Sequence, residues 1–165
     1  MGERRFRVRP AGPGDVPALG RFGAQLFVAH YEYDRQRFMP PPGQLEDGYG
    51  GFLESQLHRD DVIVLVAEDE GAVVGYVYAG VEPLSWMELR DEAGFVHDVY
   101  VDPAARGHGV ATALVEAAAA WLAGKGMPRV MLWTAARNPE AQRFFERLGF
   151  RHTMIEMTRE APSGE

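Results

Sequence analysis

The chain contains no cysteine in its 165 residues. A disulfide framework, a thiolate nucleophile and a thiolate metal site are therefore excluded. Long apolar runs are missing too. A run such as "VIVLVA" at residues 62–67 is far short of the roughly 20 residues that a membrane-spanning helix needs. The opening "MGERRFRVRP" carries charge but no apolar segment of a secretory signal, and no Ser or Thr of a myristoylation motif. Cations are in short supply: 17 Lys and Arg stand against 24 Asp and Glu, a net charge of −7. A general nucleic-acid surface needs a basic face, so no nucleic-acid partner is expected. The five His are scattered, without the H-x-x-E-H type of spacing that would suggest a metal. The simplest expectation is a cytoplasmic protein with no membrane partner. The length suits one domain, residues 1–165, with enough chain to bury a core. An acidic balance is compatible with a cationic amine substrate, and it serves solubility equally well.

What is present is a regular alternation of elements. "FRVRPA" alternates like a short strand at residues 6–9. "GPGDV" breaks it, with Asp15 placed to cap a helix and Pro17 in its first turn. Leu19, Phe22 and Leu26 follow at helical spacing to about His30. "RFMPPPG" is a loop, and Tyr49, Phe52, Leu53 and Gln56 mark a second helix. "DVIVLVAEDEGAVVGYVYAGV" reads as two strands joined by a tight turn at Glu70-Gly71. "EPLSWMELRDEA" at residues 82–93 reads as loop with some helix. "GFVHDVYVDP" is a strand that stops at Pro103. A helix from Val110 to Leu122 presents Val110, Leu114, Ala117, Ala118 and Trp121 on one face. Gly124, Lys125 and Pro128 end it. "RVMLWT" is a further strand. Asn138-Pro139 opens a helix that Gly149 closes, and "FRHTMIEMTR" at residues 150–159 reads as a closing strand. The order βααβββαβαβ describes a mixed α/β domain, antiparallel at first, with a βαβ unit at residues 95–134.

Between the strand and helix of that unit lies a turn, Arg106-Gly107-His108-Gly109-Val110-Ala111. Glycines at such a junction usually bring the backbone close to an anion, often a phosphate. A nucleoside triphosphatase loop is ruled out, because no Gly-Lys-Ser/Thr occurs. A dinucleotide loop fits poorly. Thr112 takes its third glycine position, no acid follows in the next strand, and the turn comes after four strands rather than one.

A third spacing does fit. Arg106-x-x-Gly109-x-Ala111 resembles the Q/R-x-x-G-x-G/A pyrophosphate signature of the GCN5-related N-acetyltransferase (GNAT) family. "HDVYVDPAARGHGVATALV" resembles that family's central strand, turn and helix. "NPEAQRFFERLGF" resembles its later segment, with Asn138, Ala141, Phe144, Gly149 and Phe150 in register, and "RPAGPGDVPAL" resembles its N-terminal opening. The resemblance covers nearly the whole chain, most strongly residues 95–157. It implies an acyl-CoA N-acyltransferase fold, α/β in class: a central, mostly antiparallel sheet with a splayed parallel strand pair and flanking helices. It also implies acetyl-CoA (coenzyme A) as co-substrate, and family habit adds a homodimer. The physical logic agrees. N–H groups across residues 107–111 lie in a helix's first turn, where they lack internal partners and the dipole favours anions. Thr112 continues that turn, Arg106 precedes it, and His108 contributes mainly backbone.

By the same resemblance the pantetheine arm lies between the strand at residues 95–101 and that at residues 129–134. The main chain of Val99, Tyr100 and Val101 lines it. The Val99 N–H would polarise the thioester carbonyl, a role whose loss costs about 3 kcal/mol. An amine with a pKa near 10.4 is neutral in only about one molecule in 10³ at pH 7, so a base helps. His97 stands where some amine-acetylating relatives carry Glu, and imidazole titrates near neutrality. Asp98 and the carboxylates Glu88, Asp91 and Glu92 are the other candidates. Strand alternation would put residues 95, 97, 99 and 101 on one face and 96, 98 and 100 on the other. Asn138 has two roles open to it, helix cap and cofactor contact. Phe144 and Phe145 could meet the cofactor's thiol end or simply be core. Phe145 departs from the family pattern, because many relatives have Tyr there to protonate the leaving thiolate. A thiol of pKa about 8.5 sits only ~1.5 units above pH 7, so the missing hydroxyl is a modest loss.

Substrate determinants are expected in "FVAHYEYDRQRFMPPP" and "EPLSWMELRDEA". The aromatic Tyr31, Tyr33, Phe38 and Trp86 beside several acids suit a cationic amine. The expected function is transfer of an acetyl group from acetyl-CoA to a primary amine of a small molecule of polyamine, aminoglycoside or amino-acid type. It would proceed by direct attack in a ternary complex. A non-catalytic acyl-CoA-binding module and a protein N-terminal acetyltransferase are the alternatives.

Overall fold

The computed structural model describes residues 6–164. The reading of the opening segment falls largely on residues 1–5, outside them. Among the described residues five strands and four α-helices follow one another: β1 (Phe6–Pro10), α1 (Val16–Tyr33), α2 (Leu45–Gln56), β2 (Val62–Asp69), β3 (Ala72–Glu82), β4 (Ala93–Val101), α3 (Val110–Gly124), β5 (Val130–Leu132) and α4 (Pro139–Arg147). The strands form a single sheet in sequence order. The first three pairings are antiparallel and β4–β5 is parallel.

Each face of the sheet carries its own core. On one face Leu114, Ala118 and Leu122 of α3 pack on Leu65, Val77, Val96 and Val101. On the other, Leu19 and Phe22 of α1 and Leu53 of α2 pack on Val62, Val64, Val66, Tyr76 and Tyr78. The α3 face departs slightly from the expected one. Val115 and Leu122 are buried, while Ala117 and Trp121 sit at its margin. Two long antiparallel strands meeting at Glu70-Gly71, both at positive φ, give the tight hairpin that the sequence implied.

Several expectations need correction. Asp15 does not cap α1 with its side chain. Its carboxylate accepts from the Gly12 N–H (2.8 Å) and from both terminal nitrogens of Arg9 (2.7 and 2.9 Å). Arg9 also donates to Glu68, so β1, β2 and the start of α1 are clamped by one guanidinium. That pairing holds the Asp15 carboxyl below its usual range. Residues 82–93 contain no helix; Ser85 and Arg90 form an isolated antiparallel bridge instead. The left-handed residue after α3 is Gly126, and Gly124 still belongs to the helix.

The largest departure is the closing strand. Residues 150–159 form no strand, and residues 151–159 are exposed throughout. A strand exists only through its ladder, and among the described residues β5 (three residues long) has no strand on its outer edge. The pattern in "FRHTMIEMTR" is a strand pattern without a partner.

The two helices over the tyrosine face approach very closely. A Cβ added to Gly23 of α1 would lie 2.1 Å from Cδ1 of Tyr49 on α2. The glycine lets the Tyr49 ring lie against α1. Gly23→Ala is therefore expected to cost about 1–3 kcal/mol through overpacking. Thermal melting should read this as a midpoint about 2–10 °C lower for a chain of this size.

Candidate active site

β4 is irregular at one residue. Asp98 pairs with Tyr78 of β3, and Val96 with the next residue, Ala79, so His97 is the extra residue of a β-bulge. The bulge overturns the expected alternation. Val96, Val99 and Val101 face the α3 core. His97, Asp98 and Tyr100 all face the other side, where they touch Tyr78, Tyr76 and Phe22 respectively. Phe95 stacks on His97, with centroids 4.9 Å apart. Two adjacent titratable side chains thus reach the same surface, which a regular strand forbids.

That surface is a cleft of about 200 Å³ lined by Leu26, Phe27, His30, Phe38, Met39, Tyr49, His97 and Asp98. Tyr49 (2.6 Å) and Tyr76 (2.9 Å) both donate to Oδ2 of Asp98. Among the described residues no buried side-chain polar atom lacks a partner. Oδ1, which receives no protein donor, is therefore the oxygen in contact with the cleft. Burial raises the Asp98 carboxyl above its ordinary value, and the two phenols pull against that shift. The Tyr49 and Tyr76 hydroxyls are pushed up in turn by burial and by the carboxylate they serve. His97 is more open. Its Nε2 lies 3.0 Å from Oε1 of Glu82, and its ring is also tilted against Tyr78.

The other loop carboxylates are elsewhere. Glu88 pairs with Arg90, whose guanidinium also bonds the Pro83 and Asp91 carbonyls. None of Glu88, Asp91 and Glu92 lines the cleft. Of the aromatic residues expected on the substrate side, Phe38 lines it. Tyr33 packs edge-on against His30, Tyr31 lies under Arg35, and Trp86 is exposed.

On the other edge of β4 the sheet opens. Pairing with β5 covers only Gly94, Phe95 and Val96. The Asp102 N–H donates to Val74 O (2.8 Å) on β3. Alternate residues of an antiparallel ladder turn their main-chain groups to the same neighbour. Asp98 and Tyr100 therefore face β3, while Val99 and Val101 face the gap beyond Leu132. The Val101 carbonyl accepts from Arg106 Nε (3.0 Å), and the Arg106 guanidinium also covers the Tyr100 ring. The Tyr100 hydroxyl is occupied, donating to Gln25 (2.8 Å).

The gap leads to the glycine turn. Gly107 and Gly109 sit at φ +80° and +81°, and a Cβ on either would enter open space. Gly109 directly precedes α3, and the Ala113 N–H is the first to bond back, to Gly109 O. Among the described residues, the N–H groups of Gly107, His108, Gly109, Val110, Ala111 and Thr112 have no main-chain acceptor. A row of free donors at a helix start, with room in front of it, is what a pyrophosphate requires. The residues present therefore fit coenzyme A.

In the second motif, Asn138 does cap α4: its Oδ1 accepts from the Ala141 N–H at 3.2 Å. Phe145 is buried in an aromatic cluster with Phe144 and Phe150. Gln142 bonds the Ala135 and Ala136 carbonyls and ties α4 to the segment after β5.

The family profile described as Acetyltransferase (GNAT) family matches residues 26–150. The chain belongs to that family. Among relatives in sequence, a mycothiol acetyltransferase of Cellulomonas flavigena is 32% identical over 156 residues, 91% of this chain and 42% of its own length. An uncharacterized N-acetyltransferase of Archaeoglobus fulgidus is 34% identical over 142 residues, covering 85% of this chain and 89% of that protein. The chain thus spans less than half of the first relative and nearly all of the second. An aminoglycoside N-acetyltransferase solved with coenzyme A shares the fold, with a TM-score of 0.77 at 20% identity over 96% of both chains. Fold and family agree with the GNAT reading of the sequence. No helix among the described residues is long and apolar enough to cross a membrane, and no group of three or more potential metal ligands occurs among them.

Sequence reasoning missed Tyr49, Tyr76 and Glu82 as the partners of Asp98 and His97. The alternating Tyr76 and Tyr78 of "GYVYAG" were the available signal. The Asp98 carboxyl is expected to titrate above the ordinary value of about 3.9. Tyr49→Phe should raise it further, because a donor to the charged form is lost. With the native value above the unfolded one, this residue's contribution to stability is full below about pH 3.9 and falls as pH rises through the native value. Carboxyl NMR of both proteins checks the order; a downward shift in Tyr49→Phe contradicts it.

Proposed function

We propose that this chain is an acetyl-CoA-dependent N-acetyltransferase that acetylates a primary amine on a small cationic molecule. The observation that carries the reading is the pair of openings on the two edges of β4. One is a row of unpartnered N–H groups beside a splayed strand. The other is an aromatic cleft holding one half-satisfied carboxylate and one imidazole.

The N–H groups of residues 107–112 hold the pyrophosphate, and Arg106 sits at its approach. The main chain of Val99 and Val101 holds the pantetheine arm as another strand would, with Tyr100 between them. Acetyl-CoA supplies an activated acyl group on a thiol leaving group. The Val99 N–H polarises the thioester carbonyl. On the other side, Oδ1 of Asp98 binds the ammonium form of the acceptor, while Phe38, Tyr49 and His30 offer ring faces to its charge. His97, oriented by Glu82, takes the proton from nitrogen, directly or through a water, before attack. Tyr49 and Tyr76 fix which oxygen of Asp98 is presented. Asn138 keeps its place as the cap of α4 and as a contact at the arm. Phe144 and Phe145 form the apolar wall behind the thiol end. Neither Phe145 nor the engaged Tyr100 hydroxyl is free to donate to the leaving thiolate, so solvent supplies that proton. The protein works in the cytoplasm as a homodimer, without a metal.

The relatives' names support acetyl transfer and leave the acceptor open. One is a mycothiol acetyltransferase and another an aminoglycoside N-acetyltransferase. The Asp98 cleft is small, which favours a single primary amine on a flexible carbon chain over a protein N-terminus.

Free-thiol release from acetyl-CoA across a panel of polyamines, aminoglycosides, amino acids and N-terminal peptides tests this directly. Amine-stimulated release is expected. Tight coenzyme A binding without it would make the protein a binding module. Gly109→Ala should weaken coenzyme A binding about tenfold, since a side chain at that φ costs ~1–2 kcal/mol; calorimetry reads it. His97→Ala should lower kcat/KM and remove the acidic limb of its pH profile, while Asp98→Asn should mainly raise KM. An unchanged limb in His97→Ala, with loss of it in Asp98→Asn, assigns the base to Asp98 instead.

A further inference from the structure

The cleft beside β4 is uneven in what it offers a ligand. Among the described residues lining it, Asp98 is the one carboxylate. Its Oδ2 is held by Tyr49 and Tyr76, and its Oδ1 is left to the cleft. Four apolar side chains make up much of the remaining wall: Leu26 and Phe27 of α1, and Phe38 and Met39 of the loop after it. With both imidazoles neutral, no lining side chain has a free hydrogen to donate. The Tyr49 hydroxyl is taken up by Asp98. A carbonyl only accepts, so His30 donates through Nδ1 to Leu26 O (2.8 Å) and its Nε2 is an acceptor. His97 holds Glu82 through Nε2, which leaves its Nδ1 as an acceptor. Arg37 covers the Phe38 ring, but its guanidinium is engaged by both oxygens of Glu156. Neither Arg37 nor Glu156 lines the cleft.

We infer that the acceptor is a primary monoamine with an apolar body, an alkylamine or arylalkylamine, and not a polyamine, an aminoglycoside or an amino acid. The inference rests on the acetyl-transfer reading and narrows its acceptor. A primary ammonium brings one charge and three donors, and the cleft answers with one carboxylate and further acceptors. The carbon body then lies against Leu26, Phe27, Phe38 and Met39, where its burial is favourable. A second ammonium a few carbons away would meet that apolar wall without a counter-ion, which is strongly unfavourable. The carboxylate of an amino acid would find no side-chain donor and would sit beside Asp98. An aminoglycoside adds several charges and many hydroxyls, and it is too large. The cleft holds about 200 Å³, below the roughly 300–1,000 Å³ of sites for drug-sized ligands. Phe38 and Met39 are therefore specificity-determining residues. Phe38 is held edge-on by His30, with centroids 5.1 Å apart. Met39 is 64% exposed, and its flexible thioether can adapt to bodies of different shape.

Thiol release from acetyl-CoA, compared between matched amines, tests this. Butylamine should exceed 1,4-diaminobutane in kcat/KM by at least about tenfold, because only the second ammonium differs. 2-Phenylethylamine should exceed phenylalanine by a similar factor, and kanamycin should be the poorest of the set. Met39→Glu places a second carboxylate at the apolar end. The residue is exposed, so folding should persist, as far-UV circular dichroism would verify. In that variant the ratio of butylamine to 1,4-diaminobutane should fall at least tenfold. Equal or better turnover of 1,4-diaminobutane, phenylalanine or kanamycin by the native chain overturns the inference and leaves acetyl transfer standing. A ratio unmoved by Met39→Glu overturns it too, since the selectivity would then arise outside this cleft. Calorimetry with the same amines on the coenzyme A complex separates the two readings. Preferred binding of butylamine without thiol release upholds the monoamine site and removes the transfer reading. Neither preference nor release removes both.

Discussion

One extra residue in β4 organises this protein. The bulge at His97 shifts the register of β4 against β3 by one position. It swings His97 and Asp98 onto the same face, next to one another, above the tyrosines of β3 and α2. The alternation behind the bulge is reversed, so Val99 and Val101 keep their side chains in the α3 core. Their main-chain groups point away from β3. Without the bulge, Asp98 would point into the α3 core, an apolar environment with no donor for it.

The rest of the architecture supports that strand. β4 lies between a long antiparallel partner and a parallel partner that stays for only three residues. The antiparallel side fixes the position of β4, and the parallel side leaves it. A gap opens at the point where α3 begins. The helix start, its free N–H groups and the edge of β4 are therefore contiguous without any loop having to move. On the opposite face α1 and α2 are packed closely enough, through Gly23, that Tyr49 reaches Asp98. Two tyrosines on a single carboxylate oxygen leave the other oxygen with a defined environment. This is how a buried acid can be held without being silenced.

Much of this was legible in the residues. Two glycines followed by helix formers marked the turn, and the Asn-Pro start of α4 was read with its cap. The βαβ unit followed from hydrophobic runs of different period. The bulge was not legible, because "GFVHDVYV" alternates as well with it as without it. Register belongs to the pairing of two strands, and one strand's pattern does not specify it. Glu82 was invisible for the same reason: it meets His97 only because β3 and β4 are antiparallel neighbours. Asp15 shows local reasoning overridden, since a guanidinium from β1 takes the carboxylate that a helix N-terminus could have used.

The sequence by itself determined most of the elements, their order, the glycine turn before α3 and the residue types available for chemistry. These are properties of neighbours along the chain: turn geometry, periodicity and capping act over a few residues. Only the tertiary structure decided which side chains share a cleft, which oxygen of Asp98 is left open and which strand pattern finds no ladder. Those are set by contacts between residues far apart in sequence. The segment at residues 150–159 makes the division plain. Its residues read as a strand, but a strand needs a partner, and it pairs with none among the described residues.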